Sequence, residues 1–330
     1  MNTMELPTAA RVSSRYEGVD FTRFCMAFLI VLLHSLPSYQ EQQYLFWSAP
    51  LAMICRAAVP FFFITSGYFL ARRDRFSIGI VLKPLHRLLP IYIFWMSVYF
   101  LFLLAVPIHS WSFGFRDLLS GGTAFHLWFL PALGFAMALV AAGLSLAPSW
   151  ITGLACAILA AFALTRGTYH DVLGLHGAAS RGGLFVAPLY VYVGTLLSGR
   201  RLEVPLWACA ALVLLGYALL FAEEHVIAAL SGLREPMSHD FTLATFPLGV
   251  AMFLFARSIG SSRFIDRFAP LGRASLSIYA SHLLFLWLLL PVIGNDSVWR
   301  VFACAIGAFL LATALGLALG RIGFLRRVAS

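Results

Sequence analysis

The sequence has little charge. Asp, Glu, Lys and Arg make up 11% of its 330 residues, while 61% are hydrophobic and the mean hydropathy is +0.88. An ordinary soluble domain carries about 25% charged residues, so that class is excluded. Cysteine is sparse and unclustered. Cys25, Cys55, Cys156, Cys209 and Cys304 lie in or beside apolar blocks, and none forms a CxxC pair. They read as small buried apolar residues, with no disulfide and no metal site expected. No GxxxxGK[ST] loop is present, so any phosphate recognition would rest on Arg and Lys side chains. Internal repeats, low-complexity segments and a soluble domain are likewise not visible. No cleavable signal peptide is evident: the first twenty residues are polar, and no small-residue cleavage site follows the first apolar block.

What is there is a series of apolar blocks of about 17 to 22 residues, the length that spans a bilayer as a helix. The expected fold is an all-α, polytopic integral membrane protein with about ten transmembrane helices. The spans fall at roughly 21–37, 50–70, 88–106, 127–147, 150–165, 184–199, 204–222, 241–258, 274–293 and 298–320. One transmembrane domain over 20–320 then stands between an N-terminal segment, 1–19, and a basic tail, 321–330. The net charge of +9 would suit nucleic acid, but the charges sit at the ends of apolar blocks on alternate loops. They are topology determinants, and the expected partner is the bilayer, with no nucleic acid. Of the 23 lysines and arginines, Arg56 lies within a span and Arg116, Arg166, Arg181, Arg234 and Arg300 fall on one side. All the others fall on the side of the N-terminus, which places both termini in the cytoplasm. The outer loops collect Glu41, Asp171, Glu223, Glu224, Glu235 and Asp296.

Inside the first apolar block, "VDFTRFCMAFLIVLLHS", three polar groups share a stripe. A helix turns about 100° and rises about 1.5 Å per residue, so Arg23 and His34 lie within about 20° of one another around the axis and about 16 Å apart along it. Asp20 falls on nearly the same face and is placed to pair with Arg23 at i, i+3. Ionisable groups at membrane depth are costly, and by default they are candidates for function. Arg56, in "CRAAVPFFFITSGYFL", is expected at the level of His34, where a structural ion pair is the alternative. Pro60 and Gly67 should weaken that second helix, with Thr65 and Ser66 satisfying freed backbone groups. His126 and Trp128, in "HLWFLPAL", suit either a functional site or an interfacial aromatic belt. In "LGRASLSIYASHLLF", Ser275, Tyr279 and His282 form a polar stripe that lines a cavity or packs as core. The loop "ARRDRFSIGIVLKPLHRLLP" is densely basic, as a topology signal or as a contact for a polyanion from the cytoplasm.

Five segments in order resemble the membrane-bound acyltransferase type 3 family. They are Asp20-x-x-Arg23 with His34 eleven residues on, "RAAVPFFFITSGY" from Arg56, "KPLHRLLPIY" from Lys83, "HLWFLPAL" from His126 and "LGRASLSIYASH" ending at His282. "TSG" stands where "ISG" is commoner. The resemblance covers essentially the whole chain. It implies an acyl-CoA-dependent O-acyltransferase of the bacterial cytoplasmic membrane. Such an enzyme moves an acyl group, commonly acetyl, from cytoplasmic acyl-CoA to a hydroxyl of a cell-envelope or exported glycan or a lipid-linked sugar, with no metal. It also implies that the matching Arg23 and His34 are needed for activity.

In that reading Arg23, Arg72, Arg73, Lys83 and Arg87 hold the phosphates of acetyl-CoA or another acyl-CoA. His34 is the general base for the acceptor hydroxyl, because imidazole titrates near neutral pH. Arg56, Ser66, His126, Trp128, Tyr279 and His282 are candidates for positioning the acceptor or stabilising an oxyanion. Asp20 is a structural polar partner of Arg23. The acceptor would enter past His126, Trp128, His170, Asp171, His176 and Arg181. The rival is a polytopic transporter of a small polar or anionic solute. A repeat-built transporter should show matching halves, and the "VPFFFITSG" break has no counterpart after residue 166.

Overall fold

A computed structural model describes residues 16–38, 41–71, 78–106, 124–175, 182–198, 200, 203–231 and 239–323. The described residues form helices α1 (Glu17–Ser35), α2 (Leu45–Cys55), α3 (Ala58–Ala71), α4 (Ile78–Ala105), α5 (Phe129–Leu146) and α6 (Ser149–Arg166). They continue with α7 (Gly183–Ser198), α8 (Leu206–Ser231), α9 (Thr245–Ser258), α10 (Arg263–Phe268), α11 (Ser275–Ile293) and α12 (Val298–Leu319). Short 3₁₀ turns precede α2, α5 and α11, and there is no strand among these residues. This is the all-α membrane architecture expected. By length and composition, eight helical spans can cross a bilayer. Two further apolar helices, α7 and α9, coincide with the expected spans 184–199 and 241–258 but are shorter. Among the described residues each expected span coincides with an apolar helix, and eight of these reach full spanning length.

Helix α1 is central. It packs against α2, α3, α9, α11, α12 and the 3₁₀ turn Ala269–Ala274. That turn approaches so closely that a Cβ on Gly272 would overlap the Asp20 carbonyl. Glu17 and Asp20 in the first turn of α1 complement the positive end of its dipole. In membranes, packing replaces the hydrophobic effect as the force between helices, and small residues let backbones approach. The α3–α7 crossing shows this: a Cβ on Gly67 would strike the Val191 carbonyl, and one on Gly194 the Ile64 carbonyl.

Three sequence expectations change here. The span expected at 50–70 does not bend at Gly67; α3 runs unbroken to Ala71, and the break is at Arg56 and Ala57. The cause is Pro60. A proline ring in a helix clashes with the carbonyl four residues earlier, here that of Arg56, and supplies no N–H to it. The Arg56 N–H still closes α2 onto Ala52 and Met53, and the Phe61 N–H opens α3 onto Ala57. Next, Lys83 and Arg87 lie on α4, not in a loop, since that helix continues through both Pro84 and Pro90. Finally, α8 extends past the expected end at 222, so Glu223 and Glu224 are helical residues and not part of a loop.

Candidate active site

Two cavities enter the helical body. The first, of about 510 Å³, is lined by His34, Arg56, His126, Trp128, Asp171 and Asp240 among others. The second, of about 570 Å³, is lined by Tyr16, Arg23, Ser66, Lys83, Arg87 and Ser275 among others. Arg23 and His34 therefore open on different cavities along one face of α1, as the eleven-residue spacing predicts. Asp20 accepts from Arg23 Nη1 at 3.3 Å, the expected i, i+3 pair. Arg56 and His34 line the same cavity, as expected from their shared level. The helix break puts Arg56 there, its side chain buried, with Nη2 3.9 Å from Asp240 Oδ1.

Ser66 falls in the cavity with Arg23, not beside His34, and its hydroxyl is bonded to the Phe62 carbonyl at 2.8 Å. Tyr279 lines both cavities. Arg72, Arg73, His176 and Arg181 lie outside the described residues. Asp171 lines the His34 cavity, with its Oδ1 2.7 Å from His170 Nδ1.

Three imidazoles converge, from α1, the 3₁₀ turn Phe125–Trp128 and α11. The rings of His34 and His282 are nearly parallel with centroids 5.3 Å apart. His126 stands edge-on, 4.9 Å from His282 and 6.3 Å from His34. Backbone carbonyls select two tautomers, because a carbonyl only accepts. His282 Nδ1 is 2.6 Å from the Tyr279 carbonyl and so carries its proton. His126 Nε2, 3.3 Å from the Ala280 carbonyl, carries the other. The opposite nitrogens, His282 Nε2 and His126 Nδ1, are buried lone pairs with no partner among the described residues. Tyr99 donates to the same Ala280 carbonyl at 2.8 Å and braces His126, and Tyr279 donates to the His126 carbonyl. Among the described residues no group of three His, Cys, Asp or Glu side chains could hold a metal ion.

Sequence reasoning missed the far rim. Glu224 is fully buried and pairs with His239 Nδ1 at 3.0 Å, and His239 and Asp240 both line the His34 cavity. Glu223, next to it, accepts from the Leu243 and Ala244 N–H groups at 3.0 and 2.7 Å, and from Tyr169. Burial and the bond to Glu223 push the Tyr169 phenol above its usual range. The legible signal was the adjacent pair Glu223–Glu224 at the end of an apolar run. Glu223 ties down the segment that leads into α9, so Glu223→Ala leaves the Ala244 N–H unbonded and the Leu243 N–H with only the Tyr169 hydroxyl, at 3.2 Å. We expect a loss of about 2–3 kcal/mol, since bonds to charged groups contribute about that much. A detergent-solubilised melt checks it, with an unchanged melting temperature as the contrary result.

A chain of apolar helices enclosing a basic cavity and a histidine-bearing cavity has the build of a membrane enzyme. Comparison with known proteins gives the class. The chain matches the acyltransferase 3 family, described as an acyltransferase domain, over residues 16–317, and it belongs to that family. The matched residues form an acyltransferase domain built of helices apolar enough to cross a membrane. Two relatives, both named amino-acid racemase and both from Enterococcus faecalis, are 33% identical over 132 residues and 32% identical over 127. Each alignment covers 36% of this chain, but only 17% and 18% of the relatives. The chain thus spans less than a fifth of the curated proteins it matches. No solved structure matches it.

Proposed function

We propose that the protein is an O-acyltransferase of the bacterial cytoplasmic membrane that carries an acyl group, acetyl by preference, from acyl-CoA to a hydroxyl of a cell-envelope or exported glycan. The observation that carries this reading is the pair of cavities strung along α1, with Arg23, Lys83 and Arg87 on one and His34 and Arg56 on the other. Coenzyme A is a polyanion on a long thin arm. Its phosphates suit the basic cavity, through charge-assisted hydrogen bonds, with Arg72 and Arg73 as further candidates. The rise of α1 from Arg23 to His34, about 16 Å, gives the arm its path. The cavities are lined from opposite ends of α1, on a chain whose basic residues mark the N-terminal side as cytoplasmic. The donor then enters from inside and the acceptor from outside.

In the reaction His34 takes the proton of the acceptor hydroxyl as its oxygen attacks the thioester carbonyl. The tetrahedral oxyanion collapses, the C–S bond breaks, and the thiolate of coenzyme A leaves and recovers the proton. The tautomers above help to divide the remaining roles. The His126 Nε2 proton is taken by the Ala280 carbonyl, so His126 suits the cavity wall beside the acceptor and not an oxyanion donor. Arg56 is a cation lining that cavity and suits the developing charge. Trp128 supplies apolar wall, while Tyr279 and His282 hold the imidazole cluster. Family membership disfavours the transporter reading.

Donor recognition is tested by binding. Arg23→Ala and Arg87→Ala should each weaken acetyl-CoA binding to purified protein about tenfold or more, as loss of a charged hydrogen bond does. Raising the salt should narrow the gap. Equal affinity for wild type and both variants would remove acyl-CoA from the basic cavity.

A further inference from the structure

The two cavities have three lining side chains in common: Ile30, Phe129 and Tyr279. All three are buried, at 4%, 7% and 6% exposure. Ile30 stands on the stripe between Arg23 and His34, seven residues after one and four before the other, which keeps it on the same helix face. The Phe129 and Tyr279 rings meet edge to face, with centroids 5.3 Å apart. Phe63 backs Phe129 at 4.7 Å. These three side chains are the partition between the two spaces.

The next step rests on the acyl-CoA reading above. The acyl group is the leading end of the donor, and its carbonyl must meet a hydroxyl on the His34 side. It therefore passes between these three side chains or lodges among them. We propose that Ile30, Phe129 and Tyr279 form a size filter for the acyl group, and that Phe129 sets its cross-section. Tyr279 is tethered by its hydroxyl to the His126 carbonyl. Ile30 is β-branched and stiff at χ1 on a helix. Phe129 has only apolar side-chain atoms and no polar tether, so its bulk is the adjustable element. A linear acetyl group is narrow enough to enter between two rings and a branched chain. A flat aromatic acyl group is not.

The filter is tested by measuring the affinity of purified protein for coenzyme A, acetyl-CoA and benzoyl-CoA, in wild type and in Phe129→Ala, Phe129→Leu and Phe129→Trp. Steric discrimination in an apolar slot runs to about 10–200-fold. Wild type should bind benzoyl-CoA at least about tenfold more weakly than acetyl-CoA. Phe129→Ala should bring the two within about threefold, Phe129→Leu should fall between, and Phe129→Trp should weaken acetyl-CoA as well. Coenzyme A itself, with no acyl group to pass, should bind all four alike. If Phe129→Ala proves unstable, the Leu and Trp variants carry the comparison. An unchanged acetyl-to-benzoyl ratio, with coenzyme A still bound, overturns the filter and leaves the acyl-CoA reading standing. Failure of wild type to bind coenzyme A overturns that reading, and the filter falls with it.

Discussion

His34→Ala should reduce acyl transfer by about 10²–10⁴-fold, the range that a positioned general base contributes, while acetyl-CoA affinity stays within about twofold of wild type. The split follows from the two cavities. Donor phosphates meet Arg23, Lys83 and Arg87, and the His34 ring lines only the other space. Folding should be little affected, because His34 is not fully buried and it sits in the last turn of α1, beside the rings of Phe125, His126 and His282. Coenzyme A release from radiolabelled acetyl-CoA, with envelope glycan extract as acceptor, reads the rate. Isothermal titration reads the affinity. A variant that turns over at the wild-type rate would remove His34 from the chemistry. One that loses donor affinity in proportion to rate would make it a binding residue.

Gly67→Ala should be among the most damaging single methyls in the described residues, costing about 3 kcal/mol or more. Overpacking typically costs about 1–3 kcal/mol and sometimes more, and here the obstacle is backbone. The new methyl would collide with the Val191 carbonyl, carbon and Cα together. No side chain can rotate out of the way, so α3 and α7 must separate. That separation shifts Phe63 against Tyr190, whose rings stack at 6.2 Å, and Phe63 backs Phe129 at the partition. Gly260→Ala is the matched control, since nothing lies within 4 Å of a Cβ there. Thermal unfolding in one detergent should separate the two variants clearly. Equal melting temperatures would mean that the α3–α7 contact is looser than described.

Much of this arrangement is legible in the residues alone. The stripe of Asp20, Arg23 and His34 follows from helical periodicity, and the Asp20–Arg23 pair forms as that periodicity predicts. Arg56 reaches the level of His34 because two antiparallel segments of countable length fix its depth. Other features are set by contacts between distant elements. A glycine in "TSG" reads as a kink until α7, more than a hundred residues away, is packed on it, and then it is a crossing point. Ser66 shares a motif with Arg56 but opens on the other cavity, since ten residues along a helix carry it about 15 Å away. The pair Glu224–His239 and the link from Asp240 to Arg56 join α8, the segment before α9 and the helix break. No local pattern signals pairings at that separation. The choice of tautomer at His126 and His282 depends on which carbonyls of α11 face them, which only the folded arrangement decides.

The central claim is that donor and acceptor meet from opposite faces of the membrane. Sealed vesicles carrying the protein in one known orientation test it most directly. Envelope glycan extract is enclosed within inside-out vesicles or supplied outside right-side-out ones, and radiolabelled acetyl-CoA is given to one face only. The account predicts labelled glycan only when acetyl-CoA meets the face bearing Arg23, Lys83 and Arg87 and the glycan lies across the bilayer, with no label in His34→Ala. Label appearing only when both substrates share one face, or whichever face receives the donor, would contradict it.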